Sequence, residues 1–227
     1  MKWTFIIREK FKVALLLGSI MLLVGLTAIM QRSNMKDLRK SFSSIYHDRL
    51  IPATDIFYLT KDLYSKQLLI ESLLYARHDL HAGPVAAELS GRNDSIVKLI
   101  SKFEETFLVK DESQYLKEFK RHVLHYNQVE ASILKAFFSG YIDEARQLYE
   151  TQGKQDLLKT IQFLGDLTKI QSSVGQALLN NSHGIVSASD MVLTIQIILA
   201  IIIGLLTEAL ILASKMMDKR DPQFHLN

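Results

Sequence analysis

Two long apolar runs, one near each end of the chain, dominate the hydropathy pattern. Residues 13–30 read VALLLGSIMLLVGLTAIM without a charged side chain. Residues 191–207 form a second run, which continues past Glu208 to Ser214. A helix that spans a bilayer needs about 20 predominantly apolar residues. The pattern therefore predicts two transmembrane helices, at residues 13–30 and 191–214.

A cleaved secretory signal peptide is the alternative for the first run, because basic residues precede it. Such signals have an apolar stretch of about 7–15 residues and an A-x-A-like cleavage site. The run in this chain is longer, and its end, GLTAIMQRS, offers no convincing site. The sequence favours a retained membrane anchor.

The distribution of lysine and arginine predicts the orientation, because cytoplasmic flanks carry an excess of these residues. Residues 1–12 and 31–40 carry four each, so the first helix alone is undecided. Residues 175–190 carry none, whereas residues 215–227 carry three. We expect a bacterial inner-membrane protein with cytoplasmic tails at 1–12 and 215–227, and with residues 31–190 in the periplasm.

Between the two runs, apolar residues recur every three or four positions, which is the period of an amphipathic helix. No stretch shows the sustained alternation of a strand. The pattern predicts an all-α fold, an antiparallel four-helix bundle between the two transmembrane helices. The repeating positions are Met35, Leu38, Phe42, Ile45, Arg49, Pro52, Ile56, Leu59, Leu63, Lys66, Ile70 and Leu73; Val85, Leu89, Ile96, Leu99 and Phe103; Leu116, Phe119, Val123, Tyr126, Ile133 and Phe137; and Leu157, Thr160, Leu164, Leu167, Gln171, Val174 and Leu178.

Interruptions of this pattern predict the helix ends. Gly83-Pro84 separates the first two helices, and Asp111 with Gln114 has the spacing of a capping box at the third. Gly140 ends the third helix. The predicted helices cover residues 31–80, 84–109, 112–139 and 142–190.

Pro52 and Gly153 lie inside predicted helices. Pro52 is expected to kink the first helix, and Gly153 marks either a further break or a kink in the fourth.

Composition and charge exclude several functional classes. The chain has no cysteine, which excludes disulfides and thiolate metal sites. Its net charge of +3 comes from residues 1–12, and residues 31–190 have as many basic as acidic side chains. Nucleic acid is therefore not an expected partner. No catalytic or nucleotide-binding motif occurs, so we expect neither an enzyme nor a cofactor.

Three stretches carry a family resemblance: YHDRLIPATDIFYLTKDL, FFSGYIDEARQLY and Thr151-Gln152-Gly153. Together with the predicted architecture, they resemble the sensor module of bacterial methyl-accepting chemotaxis receptors over about residues 1–214. A complete receptor of this family continues into a HAMP linker and a cytoplasmic coiled coil. Residues 215–227 cannot hold these parts, so we expect a sensor whose output passes through a partner, in a homodimer or a mixed dimer with full-length receptors.

The resemblance implies a ligand site at the outer end of the bundle. Amino-acid-binding receptors of the family use arginines near the end of the first helix and the Thr of the T-Q-G motif, which match Arg77 and Thr151. A guanidinium pairs well with a carboxylate. Residues such as Leu68 and Leu73 stand where the family's other arginines would be. The sequence therefore favours a solvated arginine and an ordinary helix-start threonine over an aspartate site, and leaves another small ligand open.

Lys66 lies on the predicted seam, where a buried and unpaired ammonium would be costly. A solvated lysine is the plainest interpretation. The alternatives are a snorkelling side chain, a pair with Asp62 or Glu71, or a place in a ligand site or dimer interface.

Histidines occur as two pairs at i, i+3 spacing, which share a helix face. The pairs are His78 with His81 and His122 with His125. Surface histidines are the simpler interpretation of each pair, and no metal site is predicted.

Glu208 lies inside the second apolar run, and an intramembrane carboxylate is a candidate functional group. A static pair with Lys10 or Lys12, or an interfacial position, is the simpler interpretation.

The function that best fits these features is a membrane-anchored periplasmic sensor. The alternative is a structural or regulatory membrane protein that uses the bundle to hold another protein and binds no small molecule.

Overall fold

The computed structural model describes residues 2–75 and 82–218, and its regular structure is helical throughout these ranges. Two π-helical turns, Ile45–Leu50 and Tyr149–Gly153, join α1 to α2 and α5 to α6. The described residues contain no strand, which confirms the predicted all-α class. The helices are α1 (Lys2–Ser44), α2 (Ile51–Tyr75), α3 (Ala82–Glu104), α4 (Lys110–Phe138), α5 (Ile142–Leu148) and α6 (Lys154–Asp218).

Residues 41–180 form one of two compact units, and this unit is the four-helix bundle. Its core consists of the apolar side chains that recur every three or four residues, each of which contributes about 1.5–3 kcal/mol when fully buried. They are Ile56, Leu59, Leu63, Ile70 and Leu73; Val85, Leu89, Ile96 and Phe103; Leu116, Phe119, Val123, Tyr126 and Ile133; and Leu157, Leu164 and Leu167. The predicted bundle is confirmed.

The buried seam of the first helix begins later than predicted. Met35 and Phe42 were assigned to it, but both are about half exposed. The α3–α4 loop meets the first helix at Asp48, whose Oδ1 accepts a hydrogen bond from the Phe107 N–H at 3.1 Å. Because α3 and α4 turn back at this level, they leave Phe42 uncovered within the bundle unit.

The start of α4 also differs from the prediction. Helix α3 ends at Glu104, so residues 105–109 are a loop, and the N-cap of α4 is Val109 and not Asp111. Glu112 takes the reciprocal role of a capping box. Its Oε2 accepts a hydrogen bond from the Val109 N–H at 2.9 Å.

The predicted end of the third helix is confirmed. Helix α4 ends at Phe138, and Gly140 follows with a φ of 86°. Glycine enters this region without steric cost, and α5 then begins at Ile142.

The π turn at Ile45–Leu50 accommodates Pro52. A proline has no N–H, and its ring clashes with the carbonyl four residues earlier in an α-helix. The Ile51 N–H donates to the carbonyl of Tyr46, which is the i to i+5 bond of a π-helix. The wider turn makes room for the ring without ending the helix.

Gly153 closes the second π turn and is buried against aromatic and aliphatic side chains. A Cβ at this position would lie 3.0 Å from Cδ2 of Tyr149 and 3.1 Å from Cδ1 of Ile133. Both neighbours are fully buried, so neither has room to move. Gly153 is therefore not a break but a close-packed point within the helix.

We expect Gly153→Ala to lower the free energy of unfolding by about 1–2 kcal/mol, because overpacking outweighs the better helix propensity of alanine. Gly165→Ala on α6 is the matched control, since a Cβ there meets nothing within 4 Å. That change should stabilise by up to about 1 kcal/mol. Urea titrations in detergent micelles compare the two, and stabilisation by both would refute the packing argument.

The second unit comprises the described parts of residues 1–40 and 181–227. The most apolar stretches of the helical segments Ala14–Tyr75 and Ile142–Ala209 have mean hydropathies of 2.1 and 2.3, and little of them is buried. By length and composition, both segments can cross a membrane. Large side chains such as Met21 and Ile29 are exposed, an arrangement that favours lipid over water.

Candidate functional site

The bundle contains a buried ion pair at the level of the first π turn. Nη1 of Arg49 donates to Oε1 of Glu112 at 2.5 Å, and the two side chains are 6% and 0% exposed. Nη2 of Arg49 donates to the carbonyl of Phe107 at 3.2 Å. Because Glu112 also caps α4 through Val109, one carboxylate ties the π turn to the start of α4.

Gln171 brings α6 into this group through a longer contact. Nη1 of Arg49 lies 3.4 Å from Oε1 of Gln171, beyond the usual range for N–H···O bonds. Arg49 Nε and Gln171 Nε2 are buried and have no hydrogen-bond partner within the described part of the chain. The link to α6 is therefore the weakest of this group.

Lys66 forms a second buried group in the middle of the bundle. Its Nζ donates to Oδ1 of Asn93 at 2.5 Å and to Oδ1 of Asn127 at 2.7 Å. Oε2 of Glu130 lies 3.1 Å away and completes an ion pair whose side chains are 0% and 4% exposed. The interpretation as a solvated lysine is wrong, and the partner is neither Asp62 nor Glu71. The seam leaves no path to solvent, and α3 and α4 supply oxygen acceptors.

The Lys66 group is also electrostatically unusual. Burial lowers the pKa of Lys66 below its ordinary value, although Glu130 opposes the shift. The ammonium lies 4.7 Å from the ring centroid of Tyr126, a distance at which a cation attracts the ring face. Burial raises the pKa of Tyr126. The amine of Lys66 and the carboxyl group of Glu130 therefore contact each other where the protein excludes almost all solvent.

Charged pairs along the α2–α3 contact lie between these two buried groups. Asp62 accepts from Arg92 at 3.0 Å and from the Ser95 hydroxyl at 2.6 Å. Asp55 accepts from Lys102 at 2.8 Å. These bonds fix α3 against α2 on the stretch between Arg49 and Lys66.

The outer end of the bundle holds a third polar group. Tyr75 donates its hydroxyl to Glu150 at 2.8 Å, and Nε of Arg146 donates to the carbonyl of Leu74 at 2.9 Å. Tyr149 donates to Glu71 at 2.5 Å, and burial together with this hydrogen bond raises the pKa of Tyr149. The end of α2 is thereby bonded to α5 and the second π turn.

A family model identifies this arrangement. The model of the four-helix-bundle sensory module for signal transduction matches residues 5–184. The chain belongs to this family. Neither curated proteins nor solved structures give a match. The resemblance to the sensor module of chemotaxis receptors is thus confirmed, and the sensory module and the two apolar helices are those of a two-pass membrane protein.

In this sensory module, Thr151 lies in the second π turn, where it is exposed and donates its hydroxyl to the carbonyl of Gln147 at 2.8 Å. Arg77 lies outside the described residues. Tyr75 and Glu150, the nearest described neighbours of these two positions, are hydrogen-bonded to each other. The ligand roles of Arg77, Thr151 and Lys66 stay predictions.

The histidines of the sensory module serve packing and pairing where they are described. His122 stacks on Phe163 with ring centroids 4.6 Å apart, and Nε2 of His125 lies 3.2 Å from Oδ2 of Asp156. The pair His78 and His81 lies outside the described residues. In the described ranges, no group of three His, Asp or Glu residues is placed to hold a metal.

Glu208 is exposed on α6, within the second apolar run. Its role, and its predicted pairing with Lys10 or Lys12, stay predictions.

Sequence reasoning missed several polar residues of the buried groups. Glu130 fills the one step that the apolar series of α4 omits between Tyr126 and Ile133, and Asn93 fills the corresponding gap between Leu89 and Ile96. Nδ2 of Asn93 donates to Oε1 of Glu130 at 3.2 Å. A polar residue at a skipped seam position was the available signal.

Proposed function

We propose that this sensory module is a periplasmic sensor in a bacterial inner membrane, which signals by small displacements of α6 relative to the first helix. The observation that carries the proposal is the continuity of α6. This helix runs unbroken from Lys154 to Asp218, so it contains bundle core residues such as Leu164 as well as the second apolar run. A change in bundle packing therefore acts on a helix that is also a membrane span.

The lysine and arginine distribution supports the orientation, with residues 31–190 outside and both tails in the cytoplasm. Residues 175–190 contain no Lys or Arg, and residues 215–227 contain three.

The outer polar group supports a ligand site at that end of the bundle. Helix α2 ends there at Tyr75, and the π turn with Thr151 is bonded to it through Glu150. Arg146 and Lys154 place cationic groups in the same cluster, where Lys154 contacts Glu150 at 2.7 Å. A small organic or amino acid, whose carboxylate competes with Glu150 for these cations, is the ligand class that the charges favour.

A thermal-shift screen of the full-length protein in detergent micelles against amino and organic acids tests the sensor. A ligand that binds only the folded state raises its stability by about 2.7 kcal/mol at one hundred times Kd. We expect Tm to rise with ligand concentration and Thr151→Ala to reduce this shift. The variant alone should change stability by under about 0.5 kcal/mol, because Thr151 is exposed. No change in Tm with any compound of the screen would favour the alternative, a structural or regulatory membrane protein.

A second copy of the chain is the partner that we propose. Large apolar side chains form an exposed stripe that begins in the first π turn and continues along α2. They follow one another at intervals of seven, seven, four and seven residues, the spacing of a two-helix seam. Each of them is about half exposed or more: Leu50, Phe57, Tyr64, Leu68 and Tyr75. Pairing of two such stripes would remove this surface from water.

Cysteine cross-linking in membranes tests the dimer, since the chain contains no native cysteine. We expect Leu68→Cys to form a disulfide-linked dimer on mild oxidation. Leu124→Cys on α4 is the matched control, because Leu124 is 64% and Leu68 is 66% exposed. Equal yields from the two positions would contradict pairing along the stripe. Linkage of Leu68→Cys only to a co-expressed full-length receptor that carries a cysteine at the matching position would indicate the mixed dimer instead.

A further inference from the structure

In the described parts of residues 1–40 and 181–227, side-chain hydrogen bonds connect α1 to α6 at two levels. Nε2 of Gln196 donates to Oγ1 of Thr27 at 2.9 Å, and Nδ2 of Asn34 donates to Oγ of Ser189 at 3.2 Å. The Thr27 hydroxyl in turn donates to the carbonyl of Val24 at 2.9 Å. Both bonds join residues that are far apart in sequence, so they report how the two helices are aligned.

The two bonds belong to one antiparallel register. Asn34 follows Thr27 by seven residues on α1, and its partner Ser189 precedes Gln196 by seven residues on α6. This is two helical turns, the repeat at which packed helices meet again on the same face. The same register places Ile20 opposite Ile203 and Gln31 opposite Val192. Ile20 is 9% and Val192 is 8% exposed, in a unit whose other apolar side chains are mostly uncovered.

The surroundings of these bonds are apolar. Exposed neighbours on the two helices include Leu26, Met30 and Leu193, and Thr27 and Gln196 lie inside the two predicted spans. Polar side chains in such a setting have few alternative partners, so they associate helices specifically. Because both bonds share one register, a slide or rotation of α6 against α1 lengthens both at once.

We propose that Thr27 with Gln196 and Asn34 with Ser189 form a register lock, which holds α1 and α6 in a single resting alignment. The inference rests on the proposed function in one respect: a signal that displaces α6 has to work against this lock. The lock sets how large a displacement force the bundle must supply, and its four side chains are distinct from those of the proposed ligand site.

Gln31 supplies an independent observation. Its Oε1 is buried and has no hydrogen-bond partner among the residues that the structure describes, and the shared register places it opposite Val192. Valine and threonine have nearly the same shape, but threonine has a hydroxyl that can donate. Val192→Thr is therefore expected to add a third bond to the lock.

Disulfide formation between reporter cysteines measures the register in membranes. Ile20→Cys with Ile203→Cys reports the resting alignment, and Ile20→Cys with Thr207→Cys reports an alignment shifted by one turn. We expect the in-register pair to form the disulfide in clear excess. Adding Gln196→Leu and Asn34→Leu should lower the ratio of the two yields roughly tenfold, at roughly threefold per bond. Adding Val192→Thr should raise it roughly threefold.

Two further variants separate the lock from misassembly. Thr194→Val is the matched control, because the hydroxyl of Thr194 donates to the carbonyl of Asp190 on its own helix at 2.9 Å, and it should leave the ratio unchanged. The exchange of Thr27→Gln with Gln196→Thr rebuilds the bond from the opposite side and should restore the ratio.

An unchanged ratio in the Gln196→Leu, Asn34→Leu variant overturns the lock, as does an equal loss in Thr194→Val. The assay contains no ligand and no signalling readout. The lock can therefore fail while the sensor stands, and a silent ligand screen leaves the cross-linking result intact.

Discussion

Glu112→Ala is expected to lower the free energy of unfolding of the bundle by about 3–5 kcal/mol, the cost of leaving one member of a buried ion pair unpaired. Arg49 would keep its charge at a site where its side chain is 6% exposed. The Val109 N–H would lose its acceptor at the same time, which costs the first turn of α4 about 0.5–2 kcal/mol if the effect matches that of other caps. The two losses coincide because one carboxylate serves both groups.

Urea titration of the full-length protein in detergent micelles, followed by circular dichroism, measures this loss. Glu118→Ala is the matched control on the same helix, because Glu118 pairs with Arg121 at the surface, where the side chains are 37% and 72% exposed. An exposed pair is worth about 0–1 kcal/mol, so the control should shift the midpoint little. Equal shifts in the two variants would show that the buried pair contributes nothing special.

The double variant Arg49→Leu with Glu112→Leu separates the charge from the packing. Buried pairs replaced by apolar residues of similar volume are often neutral or stabilising. We expect the double variant to recover most of the stability lost in Glu112→Ala, except for the cap at Val109. A double variant as unstable as the single one would mean that the pair is needed for more than mutual neutralisation.

The class and architecture of the fold were predictable, because they depend on a repeated signal. Steps of three and four residues persist over four segments, so single exceptions do not hide the pattern. The lengths of the segments indicated the number of helices, because each segment is long enough for a helix and longer than a typical strand. Short local signals were less reliable. Asp111 has the side chain of a good N-cap, but the helix begins at Val109, because Glu112 satisfies the first turn from within while it pairs with Arg49.

The polar groups of the core could be predicted only in part. The seam marked Arg49 and Lys66 as charged residues at buried positions, which made them visible as exceptions. Their partners could not be assigned, because Glu112 and Glu130 are acidic residues on a helix with many other charges, although the skipped seam position marked Glu130 as buried. Which acid faces which cation depends on the vertical alignment of α2 with α4. The apolar period fixes the buried face of each helix but not this alignment.

Lys66→Met is expected to destabilise the bundle by about 3–5 kcal/mol, because it leaves Glu130 buried without its cation. Oδ1 atoms of Asn93 and Asn127 would lose their donor as well. Lys98→Met on the exposed side of α3 is the matched control and should stay within about 0.5 kcal/mol of the wild type. Adding Glu130→Gln to Lys66→Met removes the uncompensated charge and should restore part of the loss. Urea midpoints of the four proteins test this, and a neutral Lys66→Met would refute the buried pair.

The same group predicts a pH dependence with a definite sign. Burial holds the pKa of Lys66 below its ordinary value of 10.5. At pH values between the lowered pKa of folded Lys66 and 10.5, the unfolded chain binds more protons than the folded one. The free energy of unfolding therefore rises with pH in this range. Measured against Lys66→Met with Glu130→Gln, the wild type should therefore gain stability as the pH rises toward 10.5. The subtraction cancels the lysines and tyrosines whose surroundings are the same in both proteins. A difference that falls over this range would mean that the ion pair with Glu130 outweighs burial, and that the folded bundle holds the ammonium more tightly than water does.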